Sequence, residues 1–222
     1  MLVKFCGATT AGEVTGLAAA GADLVGLWYR VPGGRSELTA ARLTALSETA
    51  RGTGRLAPVL VTFSSDPGEL LRAVRTARVP YVQLHGFQTP GTVRALRRHG
   101  PAGLTIIKAL HLRGAACLED RLTDAYERAG ADWFLLDTAA ADGRIGSTGE
   151  PLRDAAVRRL AERIRLPFLL AGGLHGGNSG DFTRTRAHPR FLGIDVDSAA
   201  RGEDGLLCAG RAAAVADTWR ST

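Results

Sequence analysis

Nothing in this sequence reads as a membrane span: no stretch approaches the roughly 18–20 uninterrupted apolar residues that cross a bilayer. The opening Met-Leu-Val-Lys-Phe-Cys-Gly also lacks the basic head and apolar middle of a signal peptide. A soluble, cytoplasmic protein with no membrane partner is the expectation. Cysteine is scarce. Cys6, Cys117 and Cys208 are odd in number and far apart, with no CxxC pair, which argues against a disulfide framework and against zinc. His111, His175 and His188 share no ligand spacing, so no metal is expected. Aromatics make up only 6%. The net charge of +6 is carried almost entirely by arginines scattered through helical segments, such as Arg72, Arg75, Arg78, Arg97, Arg98, Arg158 and Arg159. A nucleic-acid surface would need a clustered basic stripe or a stacking platform, so the charge favours small anions such as phosphate esters and carboxylates instead. Nucleotide signatures are missing too: Gly172 to Gly180 holds no GxGxxG, and GxxxxGK[ST] occurs nowhere.

What the sequence does have is rhythm. At 45% apolar and a mean hydropathy of zero, its 222 residues suffice for one good core, and one domain over residues 1–222 is expected. Short β-rich apolar runs recur at Leu2 to Phe5, Leu24 to Trp28, Pro58 to Thr62, Tyr81 to Leu84, Thr105 to Ala109, Trp133 to Asp137, Pro167 to Ala171 and Phe191 to Val196. Between them lie segments with helical spacing: Ala11 to Ala20, Thr39 to Ala50, Pro67 to Ala77, Pro90 to Arg98, Leu118 to Ala129, Pro151 to Ile164 and Asp204 to Trp219. Asp66, Thr89 and Glu150 each precede a proline, which is tolerated in a helix's first turn because its missing N–H has no role there. Strands alternating with helices imply a parallel sheet, and eight such units at this length predict a closed (β/α)8 barrel of the TIM type rather than an open sheet.

In such a barrel the chemistry belongs at the carboxyl ends of the strands. That filter selects Cys6, Arg35, His85, Asp137, Gly172, Gly173 and the stretch from Asp195 to Ala200, which includes Ser198. A thiol on one strand and a carboxyl group on another suit proton abstraction at one atom and proton donation at a second, with no cofactor. The glycine-bearing loops after the last two candidate strands lie where barrels commonly bind phosphate, so a phosphorylated sugar is the natural substrate class. Each residue also has a plainer reading. Cys6 is equally a small buried hydrophobe, Asp137 a helix cap, His85 a satisfied polar group and Arg35 a solvated loop arginine. Gly172 and Gly173 read equally as glycines that simply turn the chain. Cys117 and Cys208 fall in helical segments and are expected to pack.

Several motifs, in order along nearly the whole chain, resemble those of the phosphoribosylanthranilate isomerases. Lys4-Phe5-Cys6-Gly7 is similar to their K-[IF]-C-G opening, Val82-Gln83-Leu84-His85-Gly86 to VQLHG, and Leu135-Leu136-Asp137-Thr138 to LLD(T/S). Leu170-Ala171-Gly172-Gly173-Leu174 is similar to LAGGL and Gly193-Ile194-Asp195-Val196 to GxDV, while Gly34-Arg35 stands where the family has the arginine of S-[PK]-R. The resemblance implies an intramolecular oxidoreductase of the aldose–ketose type in tryptophan biosynthesis. Its reaction is the Amadori rearrangement of N-(5′-phosphoribosyl)anthranilate to 1-(2-carboxyphenylamino)-1-deoxyribulose 5-phosphate. It further implies Asp137 as general acid, its pKa raised by burial, and Cys6 as general base, its pKa lowered by a basic surrounding. Arg35 would hold the anthranilate carboxylate, and His85, Gly172, Gly173, Asp195 and Ser198 would contact substrate. Monomers and homodimers both occur among such proteins. The related histidine-pathway isomerase has aspartate at the Cys6 position.

Two departures bear on the substrate. The usual G-G-T-G-K reads Gly146-Ser147-Thr148-Gly149-Glu150, and D-V-S-S-G-[VI]-E reads Asp195-Val196-Asp197-Ser198-Ala199-Ala200-Arg201. A carboxylate at Asp197 would repel a phosphate dianion unless paired, with Arg201 as a possible compensating charge. Losing a glycine at Ala199 restricts the backbone. These departures keep two alternatives open: a paralogue acting on another aminosugar or anthranilate derivative in specialised metabolism, and a barrel that binds without catalysis.

Overall fold

The computed structural model describes residues 1–140, 145 and 152–221. Among them eight parallel strands close into a ring: β1 (Leu2–Cys6), β2 (Leu24–Trp28), β3 (Ala57–Thr62), β4 (Tyr81–Leu84), β5 (Thr105–Arg113), β7 (Trp133–Thr138), β8 (Phe168–Leu170) and β9 (Phe191–Val196), with the two-residue β6 (Ala116–Cys117) appended to β5. The order β4-β3-β2-β1-β9-β8-β7-β5 is closed by β4 pairing with β5. Helices α1 (Ala11–Ala19), α2 (Ala40–Gly52), α3 (Pro67–Ala77), α4 (Pro90–His99), α5 (Thr123–Ala129), α6 (Asp154–Ala161), the short α7 (Thr183–Arg186) and α8 (Ala209–Ser221) alternate with the strands. The expected TIM barrel is therefore the observed fold. No helix among the described residues is long and apolar enough to cross a membrane.

The period-2 alternation of strands separates two apolar cores. One set of side chains, including Val3, Phe5, Val25, Leu27, Phe134 and Leu136, packs under the helices. The other, including Val59, Val61, Ile107, Ala109, Leu135 and Leu169, fills the barrel interior together with Cys6. Two residues on from an interior position lies another interior position, one layer nearer the carboxyl ends. Lys4 therefore underlies Cys6, Gln83 underlies His85 and Leu135 underlies Asp137.

Local chemistry sets the helix starts. Thr10 and Glu13 form a capping box at α1, with Glu13 N–H donating to Thr10 Oγ1 at 3.1 Å and Thr10 N–H to Glu13 Oε2 at 2.8 Å. Asp66 caps α3 through Gly68 and Glu69 N–H groups, as its position before Pro67 predicts, whereas Thr89 makes no side-chain cap bond. The expected start at Glu150-Pro151 lies outside the described residues, and α6 is seen from Asp154.

Five expectations are corrected. The fifth strand runs to Arg113 rather than stopping at Ala109, and Gly114, at φ +62°, turns it back into β6. Cys117 accordingly lies in a strand, half-buried, and α5 begins at Thr123 instead of Leu118. The cause is Glu119, whose side chain turns inward to accept the backbone N–H of His111 at 2.8 Å and so fixes a hairpin where a helix was expected. The last helix begins at Ala209 rather than Asp204, because Gly205 at φ +78° and the Arg201–Leu207 bridge hold the preceding loop. Cys208 is exposed just ahead of that helix, and does not pack.

Candidate active site

A cavity of about 940 Å3 opens at the carboxyl ends of the strands. Its lining includes Cys6, Arg35, His85, Asp137, Gly172 and Gly173, and, of the stretch singled out after the last strand, Asp195 to Ala199 with Ser198 among them, but not Ala200.

Cys6 ends β1. Its Sγ accepts from Trp28 Nε1 at 3.1 Å and lies 3.3 Å from the Lys4 ammonium, which also donates to Asp195 Oδ2 at 2.6 Å. Lys4 is fully buried. Burial lowers its pKa, but the charges of Asp195 and Cys6 and the bonds to both outweigh that, and it sits above the ordinary lysine value. Room for this cluster comes from Gly26 on β2: a Cβ there would lie 2.5 Å from Sγ of Cys6 and 3.1 Å from Lys4 Nζ. The expected depression of the Cys6 pKa is not found. Burial pushes the thiol up to about 12, Lys4 opposes, and the charges of Asp195 and Asp197 add to the rise. The lysine that should support a thiolate is already engaged by a carboxylate. Asp195 itself is raised by burial against the pull of Lys4.

Asp137, near the end of β7, accepts from Thr138 N–H at 2.7 Å through Oδ1, and its Oδ2 is 3.2 Å from His85 Nε2. Gln83 Nε2 lies 3.0 Å from His85 Nδ1. With the amide donating there, Nδ1 is the acceptor and the ring proton resides on Nε2, facing the carboxylate. His85 thus sets its Nε2 beside the Asp137 carboxylate. The raised pKa expected for Asp137 is also corrected. Burial does push it up, but the His85 bond and charge, the His111 charge and the Thr138 N–H together outweigh burial, leaving it below the usual carboxylate value.

Three participants were not singled out as site residues. Trp28 and Lys4 hold the thiol, and period 2 from Cys6 would have pointed to Lys4. His111 pairs in register with Asp137, and its Nδ1 lies 2.6 Å from Glu119 Oε1. It follows Ile107 and Ala109 at period 2, so extending the fifth strand would have found it.

The rim answers the concern raised by Asp197. Its Oδ2 meets Arg35 Nη2 at 2.6 Å and its Oδ1 meets Arg201 Nε at 2.5 Å. The carboxylate is paired, and Arg201 supplies the compensating charge. Arg201 is itself buried, donating from Nη2 to Cys6 O, Gly7 O and Ser36 Oγ. Gly172 and Gly173 have φ of +85° and +67°, and a Cβ on Gly172 would stand 3.1 Å from Asp137 Oδ1. Glu150 falls outside the described residues.

Comparison with known proteins gives one consistent result. The family model described as N-(5′phosphoribosyl)anthranilate (PRA) isomerase matches residues 3–205. The N-(5′-phosphoribosyl)anthranilate isomerase of Nitrobacter winogradskyi is 34% identical over 227 residues, covering 98% of this chain and 95% of its own. That of Methanocella arvoryzae is 33% identical over 201 residues, covering 90% and 89%. The crystal structure of phosphoribosyl anthranilate isomerase from Thermus thermophilus superposes with a TM-score of 0.81 at 27% identity, covering 100% of this chain and 99% of the other.

Proposed function

The chain belongs to the N-(5′-phosphoribosyl)anthranilate isomerase family, and from that premise we propose that it catalyses the Amadori rearrangement of N-(5′-phosphoribosyl)anthranilate to 1-(2-carboxyphenylamino)-1-deoxyribulose 5-phosphate in tryptophan biosynthesis. The observation that carries this reading is the placement of a buried thiol, Cys6, and a buried carboxyl group, Asp137, on one cavity, three strands apart around the ring. Asp137 protonates the ribose ring oxygen, and the ring opens to a protonated Schiff base at C1. Cys6 removes the proton from C2, giving an enolamine that tautomerises to the 2-ketone. C1 is reduced as C2 is oxidised, so electrons balance within the substrate and no external redox partner enters. The Lys4 ammonium, 3.3 Å from Sγ, and the Trp28 N–H favour the thiolate form as it develops.

Arg35 takes the anthranilate carboxylate with its planar fork. The backbone around Gly172, Gly173 and Ser198 takes the phosphate, and His85 and Asp195 complete the contacts to the sugar. Pairing of Asp197 with two arginines removes the repulsion that had favoured a different substrate. The reading brings with it a cytoplasmic enzyme, monomeric or homodimeric, whose partner is this phosphorylated aminosugar.

A coupled assay with freshly generated substrate, following loss of anthranilate-type fluorescence, tests the proposal. Turnover by the wild type that Cys6→Ala abolishes and Asp137→Asn cuts to a small residual rate at neutral pH is the expected result. A folded wild type without turnover would refute it, in favour of a relative acting on another aminosugar or anthranilate derivative.

A further inference from the structure

Asp197 stands where the resembled pattern has a serine, and the steps above do not use it. Arg35, its side chain 48% exposed, reaches from the loop after β2 across the end of β1 to this carboxylate after β9. Left alone, such a side chain samples many rotamers, and ordering it on ligand binding carries an entropic cost. Asp197 is not similarly loose. Its other oxygen is bonded to Arg201, whose guanidinium also donates to Gly205 O at 2.6 Å, Gly7 O at 3.1 Å, Ser36 Oγ at 3.2 Å and Cys6 O at 3.3 Å. The anchored partner dictates where the loose one sits. Among the described residues only Nη2 of Arg35 is engaged, by Asp197. Whichever of its two protons is used, one two-pronged edge of the guanidinium stays available for a planar carboxylate.

We infer that Asp197 is a positioning residue that determines specificity: anchored by Arg201, it pins the Arg35 guanidinium over the cavity, ready for a substrate that carries an aromatic carboxylate. This rests on the proposed function, which assigns the carboxylate to Arg35. A carboxylate that instead competed with substrate for Arg35 would give the opposite sign, because removing it would tighten binding.

The test compares the wild type with Asp197→Ser, and with Asp197→Asn should the serine variant fold poorly, on two substrates: phosphoribosylanthranilate and the phosphoribosyl derivative of aniline, which lacks the carboxylate. Loss of the pin should raise KM for the first about tenfold with kcat within about twofold, and leave KM for the aniline compound unchanged. In parallel, 15N relaxation of the Arg35 Nε–H group should show a restrained side chain in the wild type and a mobile one in the variant. A lower or unchanged KM, or an equal rise for both substrates, overturns the inference. A wild type that turns over neither compound refutes the proposed function instead. In that case the relaxation data still decide the pinning, an unchanged Arg35 signal in the variant overturning it.

Discussion

Replacing Asp137 by asparagine should turn the pH response of catalysis into a direct readout of Cys6. Both groups hold the protonation state opposite to the one each step needs: Asp137 is a carboxylate, held below the usual range by His85 and His111 against burial, and Cys6 is a thiol, its pKa pushed up to about 12 by burial. Each unit of pH through the neutral range raises the thiolate tenfold and lowers the carboxylic acid tenfold. Their product, and with it kcat/KM, which reports the free enzyme, is therefore flat for the wild type. Asparagine keeps one carbonyl oxygen to accept the Thr138 N–H, presents its amide group to His85 and does not titrate, and the charges acting on Cys6 come from Lys4, Asp195 and Asp197. The residual kcat/KM of Asp137→Asn should then follow the thiolate alone. With a pKa of about 12 that fraction is ~10⁻⁵ at pH 7 and ~10⁻³ at pH 9, a rise of about 100-fold. The assay is initial-rate fluorescence on substrate generated immediately before mixing, at constant ionic strength. A wild-type profile that climbs tenfold per pH unit, or an Asp137→Asn profile as flat as the wild type, would refute the assignment of acid and base.

Three further outcomes follow from the same geometry. Lys4→Met strips the buried partner from Asp195, which should cost about 3–5 kcal/mol of stability and abolish turnover; chemical denaturation showing a loss below about 1 kcal/mol would contradict the buried pair. Gly26→Ala forces a methyl group into the Cys6–Lys4 contact, with an expected stability loss of about 1–3 kcal/mol and a fall in kcat of at least about tenfold; an unchanged kcat would mean the thiol's position is immaterial. His111 is held below its ordinary value of 6.5 by burial, and Glu119 below 4.5 by His111 against burial. Both bind fewer protons folded than unfolded, so their contribution to stability is complete above about pH 6.5 and drains away as pH falls, first through His111 and then through Glu119. Denaturation midpoints measured from pH 7 to 4 should drop, and Glu119→Gln should lessen the part of the drop below pH 4.5.

The eight strands were legible because each is a short apolar run bounded by glycine, proline or charge, and burial on both faces of a parallel strand leaves no other reading. Cys6, His85 and Asp137 were legible because strand ends mark the chemical face of a barrel. What escaped was set by contacts distant in sequence. The strand end at Arg113 and the late start of α5 depend on Glu119 folding back to His111, and a local pattern of Leu118 to Ala129 contains no sign of that bond. The pKa directions failed for a similar reason. A basic composition says nothing about Lys4 being committed to Asp195, and burial of Asp137 says nothing about the two imidazoles beside it.

Arg201 carries a consequence for how this barrel can be altered. The loops of a (β/α)8 barrel are usually exchangeable one at a time, which is how one scaffold supports many chemistries. Here a single guanidinium after β9 is bonded to the carbonyl oxygens of Cys6 and Gly7 after β1 and to Ser36 after β2. Three neighbouring loops therefore share one fastening, and the residue placed at the centre of the chemistry is part of it. Grafting a new loop after β9 to change what the cavity accepts would also release the backbone that aims the thiol, so recognition and reactivity in this chain must be redesigned together.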